Sequence, residues 1–180
     1  MFVKKVSRYS KLPSGEICKY QTIGGGKNDL SITLGGKELF SETVDIAGLT
    51  GCSIVLYDTK GKPEHLIVTD EVRNSPKTTS SFRVVVVGNP GASVDVKLGG
   101  APFVSGLKSP AASESKDVQG TPAEAEITCG SATEKVKVPL KNGDGCTVFV
   151  YVKDDGKLQV ISTTNAPDRE PIKAAPSAAG

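Results

Sequence analysis

The fold of this 180-residue chain is decided by a stretch that occurs twice. Residues 32–68 read ITLGGKELFSETVDIAGLTGCSIVLYDTKGKPEHLIV, and residues 127–163 read ITCGSATEKVKVPLKNGDGCTVFVYVKDDGKLQVIST. Two small gaps align these segments at an offset of 94–95 residues, which places Cys52 opposite Cys146. An offset that holds over so long a stretch indicates an internal duplication.

Within each copy the apolar residues alternate with polar ones, as is typical of β-strands. SIVLYD (53–58) and TVFVYVKDDGKLQVIS (147–162) are rich in β-branched and aromatic residues, and the second contains the turn Asp154-Asp155-Gly156. FRVVVVG (82–88) and ASVDVKLGG (92–100) add two further strands. The pattern predicts an all-β fold of two tandem antiparallel β-sandwich modules of jelly-roll-like type.

The two predicted modules are of unequal length. The predicted order is an N-terminal module (1–72), a linker (73–81), a C-terminal module (82–165) and a disordered tail (166–180). The second copy opens with the strands Phe82–Val87 and Ala92–Leu98, and the first copy lacks their counterparts. We therefore expect the natural chain to begin upstream of Met1, with a signal peptide and those strands, or another segment to supply the missing edge.

Composition excludes several classes of function. The 22 basic and 20 acidic residues give a net charge of +2, so no charge argument for nucleic acid or an anionic membrane follows. Aromatic residues make up 5% of the chain and tryptophan is absent, which argues against base-stacking platforms and the aromatic-lined clefts of sugar-degrading enzymes. No apolar run approaches the ~20 residues of a membrane span.

The four cysteines favour disulfide bonds. The chain has one histidine and no C-x-x-C spacing, so a zinc site or a thioredoxin-type redox site is not expected. We predict bridges within each module, Cys18 with Cys52 and Cys129 with Cys146, because small cores gain most from a cross-link. Such bridges imply an oxidising compartment. The alternative is four buried free thiols acting as small hydrophobic residues.

No residue pattern predicts catalysis. His65, the single histidine, has no G-x-S-x-G nucleophile turn to accompany it and no counterpart in the second copy, so we interpret it as a half-exposed strand residue. Gly24-Gly25-Gly26 lacks the remainder of a phosphate-binding loop. The acidic residues Asp58, Asp70, Asp154 and Asp155 lie at turns or strand ends, where Asp favours the turn itself. We expect no catalytic, cofactor-binding or metal site.

A family resemblance rests on the order of these strands. Residues 81–130, SFRVVVVGNPGASVDVKLGGAPFVSGLKSPAASESKDVQGTPAEAEITCG, resemble the C-terminal half of AlgF, a family of periplasmic accessory proteins of bacterial alginate O-acetylation. The junction SIVLYDTKGKPEHLIVTDEVRNSPKTTSSFRV (53–84) is similar to the family's junction between domains. The likeness covers roughly residues 15–165. The four cysteines depart from the family's pattern.

The resemblance implies a non-enzymatic periplasmic adaptor. Such a protein would bind a membrane acyl transferase and a periplasmic acetyltransferase, with the polysaccharide as a further candidate partner, and help move acetyl groups onto alginate or another polymer such as cellulose. The alternative is a structural or adhesive tandem β-sandwich protein of the bacterial envelope or extracellular matrix. A hydrolase or transferase in its own right is the third and least supported class.

Overall fold

The structure is a computed structural model that describes residues 2–3, 6–7, 25–47, 51–70 and 78–164. These residues form strands joined by turns, without a helix among them, which confirms the predicted all-β class. The strands are β1 (Phe2–Val3), β2 (Val6–Ser7), β3 (Gly26–Leu34), β4 (Lys37–Ile46), β5 (Gly51–Thr59), β6 (Lys62–Asp70), β7 (Thr79–Gly88), β8 (Ser93–Leu98), β9 (Ala101–Lys108), β10 (Ala111–Ala112), β11 (Lys116–Gln119), β12 (Ala123–Cys129), β13 (Ala132–Val138), β14 (Gly145–Val152) and β15 (Leu158–Thr164).

The C-terminal half is a sandwich of two sheets. The central sheet has the order β10-β7-β14-β15, with β11 also paired to β7, and the outer sheet has the order β13-β12-β8-β9. The core between them contains Phe82, Val84, Val86, Val94, Val96, Ala125, Ile127, Val138, Leu140, Cys146, Val148, Val150 and Val152. Phe82 and Phe103 meet edge to face there, with ring centroids 4.7 Å apart.

Strand β7 is the centre of the molecule. It pairs in parallel with β14 and antiparallel with β10 and β11, so both of its edges are occupied. Its apolar residues do not alternate with polar ones: Val84 and Val86 face the sandwich core, while Val85 and Val87 face the opposite side. A strand that is covered on both faces has this uninterrupted apolar sequence.

The second face of the central sheet is covered by the hairpin of β5 and β6. Val55 and Tyr57 of β5 and Leu66 and Val68 of β6 pack on it. Their partners on the sheet are Val85, Val87, Ala112, Phe149 and Tyr151. The first copy of the repeat therefore packs directly on the second through this apolar contact.

Two hydrogen bonds join the hairpin to the central sheet, one near the hairpin's turn and one near its open end. The Tyr151 hydroxyl donates to the backbone oxygen of Asp58 at 3.1 Å, and Nη1 of Arg83 donates to the backbone oxygen of Thr69 at 3.2 Å. Arg83 is 5% exposed, and its Nε also donates to the Thr147 hydroxyl at 3.1 Å. The buried guanidinium is thus shared between the two copies.

The two copies of the sequence repeat pair their strands in the same way. The β3–β4 and β5–β6 hairpins correspond to the β12–β13 and β14–β15 hairpins. Val3 pairs with Leu30 and Val6, as Leu98 pairs with Ala125 and Ala101, at the same offset of 95 residues. Strands β1 and β2 are therefore the counterparts of the end of β8 and the start of β9. This corrects the prediction that the first copy has no counterpart of the strand Ala92–Leu98, since β1 corresponds to the last residues of that strand.

The predicted domain boundaries fall partly outside the described residues. Strand β7 begins at Thr79, inside the predicted linker 73–81, and residues 71–77 lie outside the described part of the chain. The predicted tail 166–180 and most of residues 1–24 also lie outside it. The predicted turn at Asp154-Asp155-Gly156 is confirmed, since it connects β14 to β15 and the Gly156 amide donates to the backbone oxygen of Lys153.

Candidate functional site

The cysteines do not form the bridge predicted for the second copy. Cys129 and Cys146 are free thiols. Cys129 ends β12 beside the start of β8, which follows the end of β7 after a short turn, whereas Cys146 lies opposite Phe82 near the start of β7. The part of β7 between these two positions spans about 20 Å, and a disulfide requires Cα atoms within roughly 7 Å. The Cys129–Cys146 prediction is therefore wrong.

Cys146 matches the alternative prediction, that of a buried thiol acting as a small hydrophobic residue, whereas Cys52 and Cys129 are half-buried. Cys146 is part of the sandwich core, and burial raises the pKa of its thiol to about 12. Burial also raises the pKa of the Cys52 thiol, against the opposing effect of the nearby Arg83 charge. Cys18 lies outside the described residues, so the Cys18–Cys52 bridge stays a prediction.

We expect Cys146 to resist thiol reagents in the native protein. Its thiolate is scarce at pH 8 because the pKa is about 12, and the reagent must also enter the core. Alkylation followed by peptide mass mapping should label Cys146 only after unfolding in urea, and non-reducing maps should show no peptide pair linking it to Cys129. Such a linked pair in freshly purified protein would contradict the observed separation of the two thiols.

A small apolar cleft lies between β4 and the β5–β6 hairpin. Its lining consists of Leu39, Phe40, Leu56, Tyr57, Pro63, Glu64 and His65. The volume is about 30 Å³, which is space for no more than a few water molecules. A cleft of this size does not enclose a substrate, and its lining contains no Ser, Thr or Cys nucleophile.

The side chain of His65 forms one wall of this cleft. Its ring stacks on Phe40 with centroids 4.1 Å apart and an interplanar angle of 7°. Its Nε2 lies 3.3 Å from Oε2 of Glu42, and the side chain is 32% exposed. His65 is thus a half-exposed strand residue, as predicted, and it joins β4 to β6 rather than facing a nucleophile.

Leu56 is unusually exposed for an apolar residue of the cleft. It is 39% exposed, and it is the one large hydrophobic side chain so exposed within the described ranges. Its counterpart in the second copy, 94 residues later, is Val150, which is fully buried between the sheets of the sandwich. The side chains that cover Val150 come in part from β7, for which the described part of the first copy has no equivalent strand. Sequence periodicity gives the two positions the same inward orientation, so it could not reveal this difference.

A second surface, on the outer sheet, is polar. Lys97 of β8 lies 3.1 Å from Glu126 of β12, and Lys135 of β13 lies 3.0 Å from Glu124 and 3.6 Å from Glu126. These exposed pairs lower the pKa of Glu126 and raise that of Lys135, chiefly through side-chain hydrogen bonds. Pairs of this kind add little stability, and the balanced charges select no charged ligand.

Two tyrosines at equivalent positions of the repeat, Tyr57 and Tyr151, lie in the contact between the copies. Burial raises the pKa of both phenols, helped by Glu64 at Tyr57 and by Asp58 and Asp154 at Tyr151. The folded protein thus favours the neutral phenol, which ionises near pH 10 in an unfolded chain. The resulting stability is complete below about pH 10 and is lost as the pH rises through the folded-state values.

We therefore expect the double variant Tyr57→Phe/Tyr151→Phe to be less sensitive to alkali than the parent protein. Urea unfolding at pH 8 and pH 11 measures the loss of unfolding free energy in each protein. The parent should lose more between the two pH values, since phenylalanine has no proton to release. Equal losses would show that these two phenols do not couple folding to pH.

No protein-family model matches the chain, and no curated protein matches it. Within residues 2–3, 6–7, 25–47, 51–70 and 78–164, no group of three or more His, Cys, Asp or Glu side chains is placed to hold a metal ion. Nor does that part of the chain contain a helix long and apolar enough to cross a membrane.

Proposed function

We propose that this protein is a non-catalytic adaptor that binds another protein at the cleft lined by Leu56. The cleft carries the proposal, because the exposed Leu56 adjoins Phe40 and Pro63 there, and contiguous apolar surface favours a macromolecular contact. The counterpart of Leu56 in the second copy, Val150, is buried. The chemistry of the lining agrees with binding. Its apolar side chains offer contact area, and its one imidazole is already stacked on Phe40 and placed beside Glu42.

The process in which the adaptor acts is proposed from the resemblance of the strand and domain order to that of the AlgF family. In this proposal the protein resides in the periplasm and assists O-acetylation of an exopolysaccharide such as alginate. Its partners are a membrane acyl transferase that delivers acetyl groups and a periplasmic acetyltransferase that attaches them. The adaptor holds these proteins together and makes no bond itself.

Deletion and complementation in the organism that carries the gene test this proposal. The measured quantities are acetyl groups per sugar, by NMR of purified exopolysaccharide, and polymer yield. Deletion should lower acetylation and leave yield unchanged. The wild-type gene should restore acetylation, and Leu56→Asp should not, because a carboxylate at the cleft opposes an apolar contact.

Ala101→Asp is the matched control, since it adds the same charge at an exposed position on β9, outside the cleft. It should restore acetylation like the wild type. Unchanged acetylation in the deletion strain would overturn the proposal. If acetylation stays normal while the extracellular matrix loses cohesion, the structural or adhesive function replaces it.

A further inference from the structure

In the second copy of the repeat, the edge of β14 that faces away from β15 is paired with β7. The Asp144 backbone oxygen accepts a hydrogen bond from the Ser81 amide at 3.0 Å, and the Val152 oxygen accepts one from Asn89 at 2.7 Å. Backbone groups of alternate residues in a strand face the same side. The amides and carbonyls of Cys146, Val148 and Val150 therefore face β7, which runs parallel to β14.

The same edge of β5 in the first copy has no such strand beside it within the described residues, where β5 pairs with β6 alone. The 94-residue offset maps the three β14 positions onto Cys52, Ile54 and Leu56. Ile54 is half-buried and Leu56 is exposed, whereas Val148 and Val150 are fully buried. The edge and the apolar cleft thus belong to one incomplete surface.

This surface is continuous with the contact between the two copies. Tyr57 lines the cleft and also packs in the cluster of Val85 and Val87 on the central sheet. A strand placed beside β5 would therefore extend an existing apolar contact instead of beginning a new one. Strand addition at an open edge supplies main-chain hydrogen bonds for affinity and side-chain contacts for specificity.

We propose that the partner protein donates one extended strand that pairs in parallel with β5, as β7 pairs with β14. The inference rests on the adaptor function and names the form of its partner. The donated strand has β-branched or aromatic residues at alternate positions. In the β7 register Val84 opposes Val148 and Val86 opposes Val150, so two of these residues lie opposite Ile54 and Leu56.

A synthetic peptide provides the test. The probe carries the sequence of residues 81–88, SFRVVVVG, with two lysines added at each end for solubility. The readout is amide hydrogen exchange of the full chain by NMR. At a peptide concentration ten times the Kd, exchange at Ile54 and Leu56 should slow by about tenfold. The control peptide has Asp in place of the residues copied from Val84 and Val86, and it should have no effect.

Two variants of the protein test whether the peptide binds beside Leu56. Leu56→Asp should weaken binding at least about tenfold, equivalent to about 1.4 kcal/mol, and Ala101→Asp should bind like the wild type. If saturating probe slows no β5 amide, or if it protects Val148 and Val150 instead by displacing β7, the proposal is overturned. It is also overturned if Ile54 and Leu56 are fully protected without peptide, because the chain then covers its own edge. Peptide binding does not depend on acetylation, so this proposal and the adaptor function can fail separately.

Discussion

Val150→Asp should strongly destabilise the C-terminal sandwich, while Leu56→Asp at the equivalent position of the repeat should have a much smaller effect. Val150 is fully buried between two sheets, and an unpaired carboxylate there costs about 4 kcal/mol or more. That is much of the 5–15 kcal/mol that stabilises a typical domain. Leu56 is 39% exposed, so its carboxylate stays hydrated and the loss is about 1–2 kcal/mol of apolar burial.

Urea unfolding followed by circular dichroism measures both effects. Val150→Ala is the control for side-chain size, because it removes two methyl groups without adding charge and should cost about 1.6 kcal/mol. Similar losses of unfolding free energy for Val150→Asp and Leu56→Asp would mean that the two positions are equally buried. That outcome would remove the basis of the proposed binding site.

Gly88→Ala should be the second most damaging of the proposed substitutions. Gly88 has a φ of +101°, which residues with a side chain rarely adopt. A Cβ atom there would collide with the backbone oxygen of Val152 and lie 2.9 Å from ring atoms of Tyr151. Both obstacles belong to β14, which β7 contacts along its length. Strain and overpacking together should cost about 3 kcal/mol or more.

Gly91→Ala separates these two causes. Gly91 also has a positive φ, +77°, but a Cβ atom there would meet nothing within 4 Å. Its substitution should cost about 1–2 kcal/mol from backbone strain alone. Thermal or urea unfolding of the two variants measures the difference. Equal losses would show that β7 does not approach β14 as closely at its end as the structure indicates.

The hairpins were predictable because local chemistry determines them. Two-residue turns whose backbone requires positive φ, such as Gly35–Gly36 between β3 and β4, join runs of alternating apolar residues. The structure shows the same hairpin pairing in both copies of the repeat. Alternation and turn geometry act over a few residues, so they can be inferred without knowing the rest of the fold.

The packing of the β5–β6 hairpin on the central sheet was not predicted, although the sequence contained a signal for it. Val84-Val85-Val86-Val87 is an uninterrupted apolar run, whereas a strand with one wet face alternates. The run indicates that β7 is covered on both faces. What covers its second face depends on tertiary contacts, and no local pattern encodes those.

The cysteine pairing and the cleft depend on long-range geometry in the same way. Spacing along the chain could not show that Cys129 and Cys146 lie at opposite ends of the sandwich. The exposure of Leu56 is equally invisible in the sequence, because its alternation matches that of the buried Val150. Both features depend on which strands lie beside one another across the fold.

Amide hydrogen exchange of the free protein is the most direct test of an incomplete edge at β5. The backbone groups of Ile54 and Leu56 face that edge, and those of Val148 and Val150 are bonded to β7 inside the sandwich. Amides in core strands exchange only when the strand opens, which costs nearly the free energy of global unfolding. Amides at an exposed edge need a much smaller opening and exchange faster. We expect the amides of Ile54 and Leu56 to exchange at least about a hundredfold faster than those of Val148 and Val150. Equal protection of the two pairs would contradict the account.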